Sequence, residues 1–427
     1  MFDYDSRPVT PGVVLLGSRS STDAYAIRDF LTRNGRPYDW VDVDGQPEDG
    51  RVLDPPTERS RLPVCILPDG TRLEAATVER VAAGLGMIAA PRLGEYDVAI
   101  IGAGPAGLAA AVYAASEGLR TVVVEAVAPG GQAGTTSLIE NYLGFPGGIS
   151  GSQLASRATT QAQQFGAEIL LARPLVEITA EAGLYVSRLS DGTVIPARTL
   201  LAAAGVEWRR LDVPGVERLL GAGVYYGAGP SEAPGCRGAG VAIIGGGNSA
   251  GQACMRFSRY ADRVTLLVRG ATLGASMSQY LIDQIAATGN IEVRTGTQVV
   301  GVDGDTRLRT VSLASTASDA VEALPAAALF ICIGGLPRTA GADELPLMRD
   351  PSGYLMTGTD LAPGGVAPPG WPLARQPFPL ETNLPGLFAA GDVRSGSVKR
   401  CAAATGEGAM AVALVHRRLA ETGNDNG

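Results

Sequence analysis

Two glycine-rich turns in this 427-residue chain each follow a short apolar run and precede a segment rich in alanine. The first turn, GAGPAG at residues 102–107, follows the run at 97–101, and the second, GGGNSA at residues 245–250, follows residues 241–244. Glycines at this spacing permit a tight turn, close approach of the backbone to a diphosphate, and close packing of a helix on a strand. The chain is therefore predicted to be an α/β protein with two Rossmann-like dinucleotide-binding units.

The residue at the tip of the second strand distinguishes the two units. Glu125 ends the strand at residues 121–124 of the first unit, and an acid there binds the hydroxyls of an adenosine ribose. Arg269 stands at the equivalent place in the second unit, which favours the 2′-phosphate of NADPH and leaves NADH possible. Two such units in one chain indicate that a nicotinamide delivers hydride to a second bound dinucleotide, for which FAD is the natural candidate.

Composition excludes several classes of protein. The chain has 45% hydrophobic and 18% charged residues, so it is expected to fold, and its net charge of −8 argues against a nucleic-acid partner. No apolar run is long enough to span a bilayer, so neither a membrane segment nor a membrane partner is expected. The five cysteines contain no CxxC pair and predict neither a disulfide framework nor a metal site, which favours a reducing cytoplasm.

The spacing of strand-like and helix-like segments predicts four regions. Residues 1–90 form a small α/β module, residues 95–212 contain the first dinucleotide-binding unit, residues 213–335 contain the second, and residues 336–427 form a C-terminal region.

Further motifs give the chain a family resemblance from Tyr96 to its C-terminus. They are PGGQ at residues 129–132, IENYLGFP at 139–146 with GISG at 148–151, QAQQFGAE at 161–168, and GDV at 391–393. With the two glycine-rich turns, this set resembles the low-molecular-weight thioredoxin reductase family of flavoproteins. The resemblance implies an enzyme that is an FAD-dependent NAD(P)H oxidoreductase, and it implies a homodimer. It also implies that residues 95–212 and 336–427 are the two parts of the FAD-binding domain and that residues 213–335 are the NAD(P)H-binding domain.

The resemblance and the two fingerprints together indicate the residues that contact the cofactors. Asp392 is expected to bind the ribityl chain of the flavin, and residues 400–402 to lie beside its ring. The helix expected near residues 406–409 would direct its positive end at that ring. The complete set of expected cofactor contacts is Gly102, Gly104, Pro105, Ala106, Gly107, Glu125, Ala126, Gly131, Gln132, Asn141, Ala204, Gly205, Gly246, Gly247, Asn248, Ser249, Ala250, Arg269, Gly334, Gly391, Asp392, Arg400, Cys401 and Ala402.

The sequence departs from the family at its redox dithiol. The family carries a CxxC upstream of the nicotinamide fingerprint, and the matching positions here are Ala228 and Ser231. A thiol relay needs an attacking thiolate and a neighbouring sulfur, so the reduced flavin is expected to pass electrons to another acceptor, a small molecule or a redox protein. Alternatives are disulfide reduction through Cys236 or Cys401, an NAD(P)H oxidase, and a flavin redox sensor.

The N-terminal module resembles glutaredoxin and thioredoxin folds. Leu62-Pro63 stands where those folds carry a cis-proline, and residues 18–22 carry hydroxyl side chains where a CxxC would lie. Electron transfer through this module is therefore not expected. Its expected role is docking of partners, and a packing role for the flavin domain is equally compatible with the sequence. His416 is expected as an exposed histidine at the end of a helix over residues 409–420.

Overall fold

The computed structural model describes residues 12–18, 21–44, 61–136, 138–228, 236–315, 321–339 and 341–424. Within these ranges the strands form sheets of four, seven, five, three and two strands. The helices flank the larger sheets, as expected for an α/β fold. This part of the chain contains no helix long and apolar enough to cross a membrane.

The four-stranded sheet belongs to the N-terminal module. Its elements are β1 (Val13–Gly17), α1 (Thr22–Arg33), β2 (Tyr38–Asp42), β3 (Val64–Ile66), β4 (Arg72–Leu73) and α2 (Val78–Gly84). Strand β1 pairs in parallel with β2 and antiparallel with β3. Ser21 caps α1, because its hydroxyl accepts the N–H of Ala24 at 3.2 Å. The Leu62–Pro63 peptide is cis, as the resemblance implied.

The seven-stranded sheet contains the first glycine-rich turn. Its elements are β5 (Tyr96–Ile101), α3 (Pro105–Ser116), β6 (Thr121–Glu125), α4 (Gly151–Gln164), β7 (Glu168–Leu171), β8 (Leu175–Glu181), β9 (Leu184–Leu189) and β10 (Val194–Ala202). Strands β10, β5, β6 and β7 run in parallel in that order, and β9 and β8 extend the sheet antiparallel. The strands of this parallel core are mostly buried, which explains their nearly continuous apolar sequences.

The five-stranded parallel sheet contains the second turn. The elements of this region are β11 (Val206–Trp208), β12 (Val224–Tyr226), β13 (Gly240–Ile244), α5 (Asn248–Phe257), β14 (Arg263–Leu267), α6 (Gln279–Ala286), β15 (Ile291–Arg294), β16 (Thr297–Asp303), β17 (Thr310–Ser315), β18 (Val321–Pro325), β19 (Ala328–Ile331) and β20 (Gly335–Pro337). The strands of the five-stranded sheet lie in the order β12-β19-β13-β14-β15. Strands β11 and β20 pair with each other antiparallel, so the chain leaves and re-enters the first unit at one place. Strands β16 to β18 form a separate antiparallel sheet.

The C-terminal part returns to the seven-stranded sheet. Strand β21 (Leu387–Ala389) pairs in parallel with β10, and α7 (Cys401–Asn424) packs on α3. A Cβ atom on Gly408 would stand 2.1 Å from the carbonyl oxygen of Ala106. Glycine at this position therefore lets the two helices approach each other closely.

Two expectations about the C-terminal helix were wrong. The helix begins at Cys401 rather than near residue 406, so its positive end lies at Cys401 and residues 406–408 are inside it. Gly408 allows the close packing of this helix, and neither Gly406 nor Gly408 marks its start. His416 lies well inside the helix, with Nε2 2.9 Å from Oε2 of Glu117, and is not a helix-end residue.

Candidate functional site

A cleft of about 320 Å³ opens where the carboxyl ends of β5, β10 and β13 meet, the usual place for ligands in parallel sheets. Most of the residues expected to contact cofactors line it. They are Gly102, Gly104, Pro105, Ala106, Glu125, Gly131, Gln132, Asn141, Ala204, Gly205, Asn248, Ser249, Gly391, Asp392, Arg400 and Cys401. Residues from both glycine-rich turns therefore line one cleft.

The first turn has the geometry that a bound diphosphate requires. A Cβ on Gly107 would stand 1.8 Å from the carbonyl oxygen of Gly102, so glycine is needed for the helix to pack against the strand. No atom lies within 4 Å of the Cβ position of Gly104, which caps α3 at its N-terminus. This open space lies at the positive end of a helix, where backbone N–H groups bind anions.

The carboxylate of Glu125 is held by backbone amides. Its Oε2 accepts the N–H of Ala103 at 2.9 Å, and its Oε1 accepts the N–H groups of Val127 and Ala128 at 2.9 and 3.2 Å. The side chain is buried and still lines the cleft. These three bonds fix its orientation, and a carboxylate retains acceptor capacity for a ribose hydroxyl.

The turn that carries Asp392 follows β21 and is braced by charged groups. Burial raises the pKa of Asp392, and the positive charge of Lys399 opposes this shift. Lys399 Nζ donates to the backbone carbonyl of Asp392 at 2.8 Å, and burial lowers the pKa of Lys399. A carboxylate that is costly to bury without partners fits a place where a ligand supplies hydroxyl donors.

The second turn contributes Asn248 and Ser249, which begin α5 and line the cleft. Asn248 Oδ1 accepts the N–H of Ser278 at 2.7 Å, which fixes the side chain. Arg269 lies just beyond β14 and is exposed outside the cleft. Because β13 and β14 are parallel neighbours, Arg269 and the second turn lie at the same edge of the sheet.

Other expected contacts do not line the cleft itself. They are Gly107, Ala126, Gly246, Gly247, Ala250, Arg269, Gly334 and Ala402. Gly107 and Ala250 are buried under the turns that they support, whereas the side chain of Ala402 is exposed to solvent. Ala404, one helical turn beyond Arg400, lines the cleft instead.

All five cysteines lie in the described part of the chain, and none of them forms a disulfide. Cys236 is 3% exposed, lies in the apolar core beside the five-stranded sheet, and does not line the cleft. Cys332 and Cys401 do line it, and burial raises the pKa of their thiols to about 12 and about 11. Burial also raises the pKa of Cys65 to about 11 and that of Cys254. Buried thiols with raised pKa values are poor nucleophiles.

Ala228, the position that the sequence analysis matched to the first cysteine of the family's CxxC, lines the same cleft, whereas Ser231 lies outside the described residues. Its carbonyl oxygen accepts a hydrogen bond from Arg256 Nη1 at 2.6 Å, and Arg256 Nη2 reaches the carbonyl oxygen of Thr135 in the first unit at 3.0 Å. Burial lowers the pKa of Arg256 to about 10, so the guanidinium remains charged at neutral pH. Arg256 thereby joins the two dinucleotide-binding units across the cleft.

The sequence analysis missed several residues that line the cleft, among them Arg33, Trp208, Gln252, Arg256 and Arg338. Gln252 and Arg256 follow Asn248 at intervals of four, so all three share one face of α5. This spacing from Asn248 could have identified Gln252 and Arg256 as residues of the site. No comparable signal exists for Arg33, because it comes from the N-terminal module.

Comparisons with known proteins agree with this geometry. Residues 96–408 match the sequence model of the family described as pyridine nucleotide-disulphide oxidoreductase. The chain is 33% identical over 318 residues to a thioredoxin reductase of Treponema pallidum, covering 74% of this chain and 95% of that protein. It is 33% identical over 322 residues to one of Listeria innocua, covering 74% and 91%.

Solved structures give the same result. Lactococcus lactis thioredoxin reductase in its FR conformation superposes with a TM-score of 0.68 at 26% identity, covering 76% of this chain and 99% of that chain. A second structure, that of T. acidophilum thioredoxin reductase, has a TM-score of 0.67 at 27% identity and covers 76% of this chain and 98% of that chain.

The family uses FAD and NADPH, and the residues of the cleft fit both. The open space at Gly104, the oriented carboxylate of Glu125 and the partly buried Asp392 suit the diphosphate, ribose and ribityl groups of FAD. The chain is thus an FAD-dependent NAD(P)H oxidoreductase, and it belongs to the thioredoxin reductase-like pyridine nucleotide-disulphide oxidoreductases.

Proposed function

We propose that this enzyme takes hydride from NADPH and passes electrons to an acceptor without a CxxC dithiol. The observation that carries the proposal is the position of Ala228 in the cleft shared by the two units, where a methyl group stands in place of a thiol. The raised pKa values of Cys332 and Cys401 support it, because thiol exchange proceeds through the thiolate.

Residues of the cleft would hold the two cofactors and stabilise negative charge at the flavin ring. Asp392 would accept hydrogen bonds from the ribityl chain, and the N-terminus of α7 at Cys401 would stabilise negative charge at the flavin ring. When bound, FAD supplies the chemistry that accepts hydride and releases electrons. Arg269 would bind the 2′-phosphate of NADPH, and Asn248 and Ser249 would lie beside the nicotinamide nucleotide.

The acceptor is a small oxidised molecule, such as a quinone, or a redox protein. The cleft offers such a molecule an aromatic side chain, Trp208, which lies against Gly227, the residue before Ala228. We propose that residues 95–212 and 336–427 bind FAD, that residues 213–335 bind NADPH, and that residues 1–90 form a thioredoxin-like module without redox cysteines. We propose a cytoplasmic location, which fits five cysteines that form no disulfide.

We also propose a homodimer. An apolar groove of about 550 Å³ lies between α3 and α4, and its rim carries Tyr113 and Phe165, which are 47% and 50% exposed. Large exposed apolar side chains around one groove are typical of protein interfaces. Sedimentation analysis of the wild type beside a Tyr113→Glu, Phe165→Glu variant tests this, with a dimer expected only for the wild type.

Anaerobic mixing of the yellow protein with NADPH or NADH tests the function. We expect NADPH to bleach the flavin absorbance, followed by re-oxidation by quinones at about 1–1,000 per second and little turnover with disulfides. Fast re-oxidation by air alone would instead identify an oxidase. Flavin reduction that takes minutes yet alters partner binding would identify a sensor.

A matched variant separates the thiol alternatives. Cys401→Ser removes one of the two thiols that line the cleft, and Cys65→Ser removes a buried thiol of the N-terminal module as the control. We expect equal quinone turnover in both variants. Disulfide reduction by the wild type that Cys401→Ser abolishes and Cys65→Ser retains would contradict the proposal.

A further inference from the structure

One cation of the cleft comes from the N-terminal module. Arg33 lies at the end of α1 and lines the cleft beside the first glycine-rich turn. Its Nη2 donates to the carbonyl oxygen of Gly131 at 3.1 Å. Gly131 itself packs against the turn, because a Cβ on Gly131 would stand 3.2 Å from the Cα of Gly104. The guanidinium of Arg33 therefore contacts a residue that lies against the turn expected to bind a diphosphate.

The module is fixed in this position by further contacts. Asn34 Nδ2 donates to the carbonyl oxygen of Val127 at 3.2 Å, immediately beyond Glu125. Arg173 Nη2 donates to the carbonyl oxygen of Ala89, and the buried Ala172 belongs to the apolar core of the module. The module that carries Arg33 is thus held against the first dinucleotide-binding unit by both polar and apolar contacts.

The chemistry of Arg33 suits an anion. A guanidinium has five N–H donors, and Arg33 uses one for Gly131 and has a carboxylate oxygen of Asp29 at 3.5 Å. Glu125, an acidic residue that also lines the cleft, is already oriented by three backbone amides. A planar fork of donors beside a helix N-terminus is the arrangement that binds phosphate oxygens.

We propose that Arg33 binds the diphosphate of FAD, so that the N-terminal module completes the cofactor site of the enzyme. This inference rests on the proposed placement of FAD against the first glycine-rich turn. It gives the module a role in cofactor retention that needs no redox cysteine and no partner protein. Arg33 acts by holding the cofactor and takes no part in hydride transfer.

Titration of the full-length apoprotein with FAD, followed by quenching of flavin fluorescence, tests the proposal. We expect Arg33→Ala to raise the Kd for FAD at least tenfold at low salt, with a smaller ratio at high salt because screening weakens a charged contact. Arg36→Ala is the control, because Arg36 is exposed, lies three residues away, does not line the cleft and carries the same charge. It should keep the wild-type Kd.

Asn34→Ala separates cofactor contact from docking of the module, because it removes the bond to Val127 and leaves the charge. We expect at most a threefold change that does not depend on salt. The inference would be overturned if the Kd of Arg33→Ala for FAD stayed within twofold of the wild-type Kd, or if Asn34→Ala showed the same salt-dependent loss of affinity. Either result would leave the proposed function standing. A wild-type apoprotein that binds no FAD would overturn the proposed function as well.

Discussion

Glu407 accepts the backbone N–H of Gly391 at 2.7 Å, so α7 directly holds the turn that carries Asp392. The same carboxylate pairs with Arg394 through both oxygens, at 2.5 and 3.2 Å, and both side chains are largely buried. The cofactor-facing turn is therefore positioned by a charge pair whose acidic member, Glu407, belongs to the helix that follows the turn.

Replacing Glu407 by Gln should loosen this turn. The substitution leaves Arg394 without its ionic partner, and the loss of a charge-assisted hydrogen bond is worth about 1.5–3 kcal/mol, or at least a tenfold increase in the Kd for FAD. Glu344→Gln, at an exposed site, is the control. An unchanged Kd measured by fluorescence titration would show that the turn holds its shape without Glu407.

Replacing Asp392 by Asn should stabilise the apoprotein and weaken FAD binding. Because burial raises the pKa of Asp392, ionisation costs stability as pH rises from the ordinary value of 3.8 through the folded-state pKa. Above the folded-state pKa this cost is fully present, so the variant should then melt about 2 °C higher without FAD. The gain should shrink as pH falls toward 3.8.

The same variant should bind FAD at least tenfold more weakly, because an amide oxygen is a weaker acceptor than a carboxylate. Thermal melts and titrations of Asp392→Asn are compared with those of Asp360→Asn, an exposed control. A lower melting temperature of the apoprotein at pH 7 would contradict the expected sign.

Replacing Arg269 by Ala should change the choice of nicotinamide nucleotide. We expect kcat/KM for NADPH to fall about tenfold to thirtyfold and that for NADH to stay within twofold, because only NADPH carries the 2′-phosphate. Arg263→Ala is a matched control, since Arg263 is exposed at the opposite end of β14. An equal fall in kcat/KM for NADPH and NADH would show that Arg269 does not bind the 2′-phosphate.

Two glycines of α7 should respond in opposite ways to alanine. A Cβ on Gly408 would collide with the carbonyl of Ala106, so Gly408→Ala should lower the free energy of unfolding by about 1–3 kcal/mol. The Cβ position of Gly406 has no atom within 4 Å, so Gly406→Ala should raise it by up to about 1 kcal/mol through helix propensity. Denaturant titration measures both, and equal effects would contradict the packing of α7 on α3.

Much of the site could be predicted from local patterns. The two turns, Glu125 and Asp392 each lie at the end of an apolar strand, and in parallel sheets these ends meet at one edge. The start of α7 was mispredicted because Gly406 and Gly408 resemble a helix boundary in sequence. Glycine at residue 408 is required by contact with Ala106, which is about 300 residues away in the chain.

The sequence by itself determined the two dinucleotide-binding units, the residues of their turns and the absence of a CxxC, because backbone freedom and side-chain chemistry are local properties. Only the tertiary structure decided that Arg33 and Arg256 reach the cleft, that Cys236 is buried away from it, and that Ala228 lines it. These positions depend on how separate sheets pack against one another, and packing between distant segments leaves no periodic signal in either segment.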